Sequence, residues 1–250
     1  MENQEIIYGR NPVAALIDTN RRRINKIYVA AGIKYDDKIR QILSRAKECK
    51  INVQEVPRNK LDKLAGGVHQ GIAASVSPIE YMDLDELLRR LSDKSNSLLI
   101  ILDRVEDPHN FGSIIRTAAA AGADGIIIAK RRSSPVTATV EKASAGTVEL
   151  LPIVQVSNIA STLEKLKKNN FWIVGAEAAG EKYYFDVDYD MNCALVLGGE
   201  GFGISDIVKK ECDILTNIPM ESSVNSLNVA NAASILIYEV VRQRILKHRN

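Results

Sequence analysis

Six residues, Leu98-Leu-Ile-Ile-Leu-Asp103, make a nearly unbroken apolar run. A strand with one face in water alternates apolar and polar residues, so a run without alternation fits a strand covered on both faces, as in a parallel sheet flanked by helices. The chain beyond it agrees. Asn110 can cap a helix running through Ile114, Ile115, Ala118 and Ala119 to Gly122, and the apolar stretch 125–129 follows as a strand. Further strands are expected at 151–156, 172–176, 194–197 and 214–218 with helices between them, a repeated βαβ pattern and hence a mostly parallel sheet.

The first 78 residues alternate on a shorter period. Asn11-Pro12 opens a helix to about Asn20; strands are expected at 24–30, 51–56 and 71–76, and helices at 36–50 and 59–65, together a small α/β unit. Its loop Gly66-Gly67-Val68-His69-Gln70-Gly71 reads equally as a plain turn. Between 79 and 96 the composition shifts: one amphipathic set, Leu84, Leu87, Leu88 and Leu91, precedes the polar break 92–96. The expected organisation is a domain over 1–78, a linker over 79–96 and a second domain over 97–250.

Hydrophobic content of 46% with 26% charged residues over 250 residues is ordinary for a globular protein. No uncharged apolar run reaches about 18 residues, and the start lacks a basic segment followed by an apolar one, so a cytoplasmic protein without a membrane partner is expected. Cys49, Cys193 and Cys212 share no metal-ligand spacing, and each context suits a buried thiol; no metal is expected. A net charge of +2 does not announce a nucleic-acid binder. Arg21-Arg22-Arg23, Lys130-Arg131-Arg132, 165–168 and the tail 242–249 are local basic clusters that fit RNA contact or a solvated face, and 165–168 also suits a helix C-terminus.

Three polar or glycine-bearing loops follow strands of the second domain, where a parallel sheet gathers its ligands. In the first, Asn110 stands at the helix start with Arg116 two turns in; that guanidinium either snorkels to water or meets an anion. The second carries Gly198, Gly199, Gly201 and Gly203 around Glu200, a spacing that is not the dinucleotide fingerprint. The third runs from Ile218-Pro219-Met220 through Ser223, Asn225 and Ser226 into a helix with Val229, Ala232, Ala233, Leu236, Ile237 and Val240 on one side and Asn228, Asn231, Ser234, Tyr238 and Arg242 on the other. Capping alone accounts for some of its polar residues. No general base stands out, because neither His69 nor His109 is paired with a carboxylate in sequence and His248 lies in the tail. That argues against triad hydrolysis and suits transfer from an activated donor.

Together these residues resemble the three motifs of the SpoU, or TrmH-type, RNA ribose 2′-O-methyltransferases of the SPOUT superfamily. Asn110-FGSIIRTA is similar to the first, Leu197-GGEGFG to the second, and Ile218-PM with Ser226-LNVANAA to the third; Tyr8-GRNPV and His69-Gln70-Gly71 resemble the substrate-binding domain of the ribosomal-RNA branch. The resemblance implies an α/β fold in which a small RNA-binding domain precedes a mostly parallel sheet with a deep C-terminal trefoil knot, working as a homodimer with S-adenosylmethionine as methyl donor. It implies catalytic roles for Asn110, Arg116, Glu200, Ser226 and Asn228, and a donor site at Gly198, Gly199, Ile218, Met220 and Leu227. The implied substrate is a ribose in structured RNA, a guanosine of large-subunit ribosomal RNA. Transfer-RNA guanosine, ribosomal-RNA adenosine and a catalytically silent RNA-binding role stay open beside it.

Overall fold

The structure, a computed structural model, describes residues 4–221 and 226–247; Ser223, Asn225 and His248 lie outside the described residues. Its contacts divide the chain into two compact units, the first reaching Glu80 and taking in Val136–Leu150, the second formed by Tyr81–Pro135 and the chain from Leu151 onward.

In the first unit, β1 (Glu5–Tyr8), α1 (Arg10–Thr19), β2 (Ile24–Ala30), α2 (Asp37–Glu48), β3 (Val53–Val56), α3 (Arg58–Ala65) and β4 (Ile72–Val76) build a four-stranded sheet in the order β1-β4-β2-β3. β4 is buried throughout and runs antiparallel to both neighbours, whereas β2 and β3 are parallel. Val13, Leu16 and Ile17 of α1 and Ile39, Ile42 and Ala46 of α2 share one core with Ile7, Ile27 and Ile72, following the 3.6-residue period of each helix. Leu61 of α3 joins a second core with Ala30, Val56 and Ala73.

Three readings of this unit are corrected. Cys49 is exposed, because it caps the C-terminal end of amphipathic α2 instead of facing its core. Arg22, expected in a surface cluster, is 4% exposed and surrounded by carboxylates. His69 does have a carboxylate partner: its Nε2 lies 2.8 Å from Asp62 Oδ1, since Gly66 ends α3 in the left-handed region and turns the chain back along it.

The second unit contains α4 (Leu84–Leu91), β5 (Leu98–Asp103), α5 (Pro108–Ala120) and β6 (Gly125–Ala129). The chain then contributes α6 (Ala138–Ala143) and a short 3-10 turn (Thr147–Glu149) to the first unit. It returns as β7 (Ile153–Val156), α7 (Ile159–Lys168), β8 (Trp172–Ala176), β9 (Lys182–Tyr183), β10 (Cys193–Gly198), α8 (Asp206–Lys210), β11 (Ile214–Asn217) and α9 (Val229–Lys247). Seven strands pair in the order β7-β6-β5-β10-β8-β11-β9, and every one of these pairings is parallel.

All six residues of β5 are buried, as an unbroken apolar run requires. Leu99 and Ile101 pack with Leu87, Leu88 and Leu91 of α4 and Leu163 and Leu166 of α7. Strand alternation sends Leu98, Ile100 and Leu102 to the opposite face. α9 packs against α5 and β10 through buried Val229, Ala233, Leu236, Ile237 and Val240. Its far end is tied down by Arg244, which donates to the carbonyls of Met191 at 2.9 Å and of Ser97 and Tyr189 at 3.3 Å, and by Gln243, which donates to Val187 O at 2.9 Å. Part of the basic tail is therefore structural. Among the described residues no helix is long and apolar enough to cross a membrane.

Candidate active site

The sheet changes direction where β10 inserts between β5 and β8, placing Gly198 opposite Asp103 at the carboxyl ends of their strands. In open α/β sheets that crossover is where ligands bind. Gly199 N–H donates to Asp103 O at 2.8 Å, and the buried Asp103 carboxylate accepts from Ser205 N–H at 2.8 Å, so one residue, through its backbone and its side chain, ties both ends of the loop 199–205. A side chain on Gly198 would overlap the backbone of Gly203 and Ile204, and one on Gly199 would overlap Arg104 O. Here glycine is demanded by close backbone approach.

Asp107 caps α5, accepting from Asn110 N–H at 2.8 Å, which corrects the expectation that Asn110 is the cap. Asn110 is already inside the helix, and its side chain is therefore free for other partners. Its Nδ2 donates to Glu200 Oε1, while Asn228 Nδ2 donates to Asn110 Oδ1 at 3.0 Å and to Glu200 Oε1 at 3.2 Å. Asn228 Oδ1 accepts from Ala230 N–H at 2.9 Å and Asn231 N–H at 3.3 Å, capping α9. Three loops thus meet in one hydrogen-bonded trio. Thr117 and Ser234, 3.2 Å apart, add a polar contact between α5 and α9.

Two cavities border the trio. The larger, about 1070 Å³, is lined by Gly198, Gly199, Glu200, Ile218, Met220, Ser226, Leu227 and Asn228, with Ala176 and Tyr183 from β8 and β9. The smaller, about 390 Å³, is lined by Arg104, Asp107, Asn110, Arg132 and Glu200. Glu200, Phe202 and Val229 line both, so the trio stands at the boundary between them. Nine of the ten expected residues accordingly gather here.

Arg116 does not. It is exposed on α5, lines neither cavity, and makes no hydrogen bond or ion pair with any described residue. Sequence reasoning missed Arg104 and noticed Arg132 only as one of a basic cluster. Arg104 sits in the left-handed region with φ 62°, directly after β5; a charged residue ending a buried strand is the signal that could have found it.

A site like this suits group transfer. The larger cavity combines a glycine backbone cradle with apolar Ile218, Met220 and Leu227, which fits a ligand that is part nucleoside and part aliphatic chain. The smaller one carries two guanidinium groups beside the carboxylates of Glu106, Asp107 and Glu200, a mixed lining that fits a polar acceptor.

The chain belongs to the SpoU rRNA Methylase family, which it matches over residues 97–238, and this membership makes it an RNA methyltransferase. Residues 6–82 match the RNA 2′-O ribose methyltransferase substrate binding family. A Staphylococcus aureus protein assigned to the TrmH family of tRNA/rRNA methyltransferases is 48% identical over 96% of both chains. The SpoU methyltransferase AviRb from Streptomyces viridochromogenes, solved with its cofactor AdoMet, superposes with a TM-score of 0.82 at 26% identity, covering 97% of this chain and 91% of that one. An AdoMet-bound rRNA methyltransferase from Sinorhizobium meliloti gives a TM-score of 0.80 at 25% identity, covering 96% and 87%.

Proposed function

We propose that the protein transfers a methyl group from S-adenosylmethionine to the 2′-hydroxyl of a guanosine ribose in large-subunit ribosomal RNA. The methyl donor is S-adenosylmethionine, whose sulfonium supplies a methyl group already activated for displacement. The single observation carrying this reading is the Asn110–Glu200–Asn228 trio standing between a glycine-walled cavity and an arginine-bearing one.

Gly198, Gly199, Ile218, Met220 and Leu227 would hold the donor through backbone groups and apolar contact. Arg104 and Arg132 would seat the acceptor's phosphates, while Asn110, Ser226 and Asn228 orient the ribose. Glu200 fixes both asparagine amides by accepting from each. Alignment of the hydroxyl with the methyl group then supplies most of the acceleration.

Arg116 enters from a second copy of the chain. What supports this is its exposure on α5 without a partner among the described residues, beside an α9 that leaves Tyr238, Ile245 and Leu246 exposed. A guanidinium is already fully protonated and cannot act as the base, so Arg116 stabilises the developing alkoxide electrostatically while a substrate phosphate takes the hydroxyl proton. The same reading includes a homodimer and a deep C-terminal knot, in keeping with the tight passage of 199–204 past Asp103 and Arg104.

The test is methylation of protein-free ribosomal and transfer RNA with labelled S-adenosylmethionine, followed by mapping of alkali-resistant ribose positions. Mixed dimers of Arg116→Ala with Asn228→Ala chains, each inactive alone, should regain about a quarter to a half of the activity if Arg116 serves its neighbour. A methyl group found on a base, or on transfer RNA alone, sinks the reading.

A further inference from the structure

The first unit contains a cavity of its own, about 480 Å³, lined by Arg10, Arg58, Gln70, Gly71 and the turn 30–33. Its walls are held by a chain of specific bonds. Gly71 N–H donates to His69 Nδ1 at 2.9 Å, so the ring proton sits on Nε2 and is donated to Asp62 Oδ1 at 2.8 Å. A histidine 4% exposed thereby fixes the conformation of the next two residues, Gln70 at φ 54° and Gly71 at φ 83°. The left-handed backbone of Gly71 favours glycine, and a side chain there would also have to displace the end of Ile33.

Gln70 is then locked to Arg10. Its Oε1 accepts from Arg10 N–H at 3.1 Å, and its carbonyl accepts from Arg10 Nε at 3.2 Å. The Arg10 guanidinium also pairs with Asp36, which accepts from Ile39 N–H at 3.1 Å to cap α2. With Oε1 occupied, the Gln70 amide nitrogen is left as a donor. Arg58 is exposed and makes no ion pair with any described residue. The cavity therefore offers a preset carboxamide donor and two guanidinium groups, only one of which is neutralised.

We propose that this cavity receives one unstacked RNA nucleotide, with its phosphodiester on Arg58 and Arg10 and a carbonyl of its base on the Gln70 amide. The proposal rests on the reading of the protein as an RNA methyltransferase and adds a recognition point for the RNA outside the reaction site. A cavity of this size is within the range that encloses a nucleotide-sized ligand, whereas a bare phosphate would leave most of it unfilled. An A-form duplex presents shallow base edges and cannot enter; a splayed base in a loop or bulge can.

Binding of protein-free ribosomal RNA and of S-adenosylmethionine to the full chain, measured side by side, tests this. Arg58→Ala should weaken RNA binding about tenfold and Gln70→Glu by more, with S-adenosylmethionine affinity unchanged. Arg40→Ala, on the exposed side of α2, is the control and should leave both alone. In a nuclear magnetic resonance titration, nucleoside 5′-monophosphates should shift the Gly32 and Gly71 amides and the Gln70 side-chain amide in a base-dependent way. Variants that bind RNA like the parent, or inorganic phosphate shifting the same signals equally, would overturn the nucleotide site while leaving the methyltransferase reading intact. A parent protein that binds S-adenosylmethionine but no RNA overturns both.

Discussion

Two polar clusters in this molecule, each organised by glutamate, serve opposite ends. In the first unit Arg22 Nη1 lies 2.5 Å from Glu141 and 3.2 Å from Glu149, Nη2 lies 2.5 Å from Glu5, and Nε donates to Ser77 O at 2.8 Å. Arg22, Glu141 and Glu149 are nearly inaccessible, and the arrangement ties Val136–Leu150 to β1 and the α1–β2 turn. In the second unit Asn110, Glu200 and Asn228 hold one another just as specifically, yet they face two cavities. A cluster sealed from water stabilises a fold; a cluster of similar chemistry facing open space is arranged for a ligand.

The sharpest separation comes from breaking the sealed one. Arg22→Met leaves the buried Glu141 and Glu149 carboxyl groups without their partner and should cost about 3–5 kcal/mol of stability in chemical denaturation. Adding Glu141→Gln and Glu149→Gln to that variant should return much of the loss, because only Glu5, which is partly exposed, then keeps a charge. An Arg22→Met protein as stable as its parent would erase the contrast.

Glu200→Gln tests the open cluster. Turnover should fall about 100-fold or more, as when one preorganised group is removed from a reaction centre, while stability shifts by no more than about 0.5 kcal/mol. Should the substitution unfold the protein as Arg22→Met does, the trio is structural and the comparison fails.

The pH dependence follows from Glu141, whose carboxyl is pushed up to about 8 by burial, then by Glu149, against the pull of Arg22. Burial raises Glu149 as well. A carboxyl raised in the folded state holds a proton that the unfolded chain has released, so stability should be greatest near pH 5. It should fall as pH rises towards 8 by at most about 1.4 kcal/mol per unit for each proton, then level off. Glu141 Oε2 has no hydrogen-bond partner among the described residues, which suits a neutral carboxyl. Glu141→Gln should flatten the slope in urea titrations at pH 5, 6, 7 and 8; an unchanged slope places the proton elsewhere.

These two clusters also differ in how far the sequence announces them. Strands at 98–103, 125–129 and 172–176 coincide with the expected ranges because burial on both faces leaves an unmistakable apolar run. β1 escaped notice, being four residues long and stabilised by pairing with β4. The 136–150 segment escaped as well, since its small and polar residues show no period and its carboxylates gain meaning only from Arg22, more than a hundred positions away. Asn110 and Glu200 stand 90 positions apart, and no local spacing rule joins them; the motif resemblance did. His69 and Asp62 are only seven apart, but their pairing depends on the left-handed turn at Gly66.

The smallest effect sharpens the comparison most. Asp107 caps α5 by accepting from Asn110 N–H, and it makes no hydrogen bond to the Asn110 side chain. Asp107→Ala should therefore cost about 1 kcal/mol of stability, an ordinary cap loss. Because the first turn of α5 also sets where the Asn110 side chain reaches Glu200, turnover should drop by more than the stability change alone explains, at a temperature where the variant remains folded. Asp107→Asn, which keeps an accepting oxygen, should restore both. If Asp107→Ala loses stability but keeps full turnover, the trio tolerates a shift of its helix, and the rigid geometry assigned to the open cluster belongs to the sealed one alone.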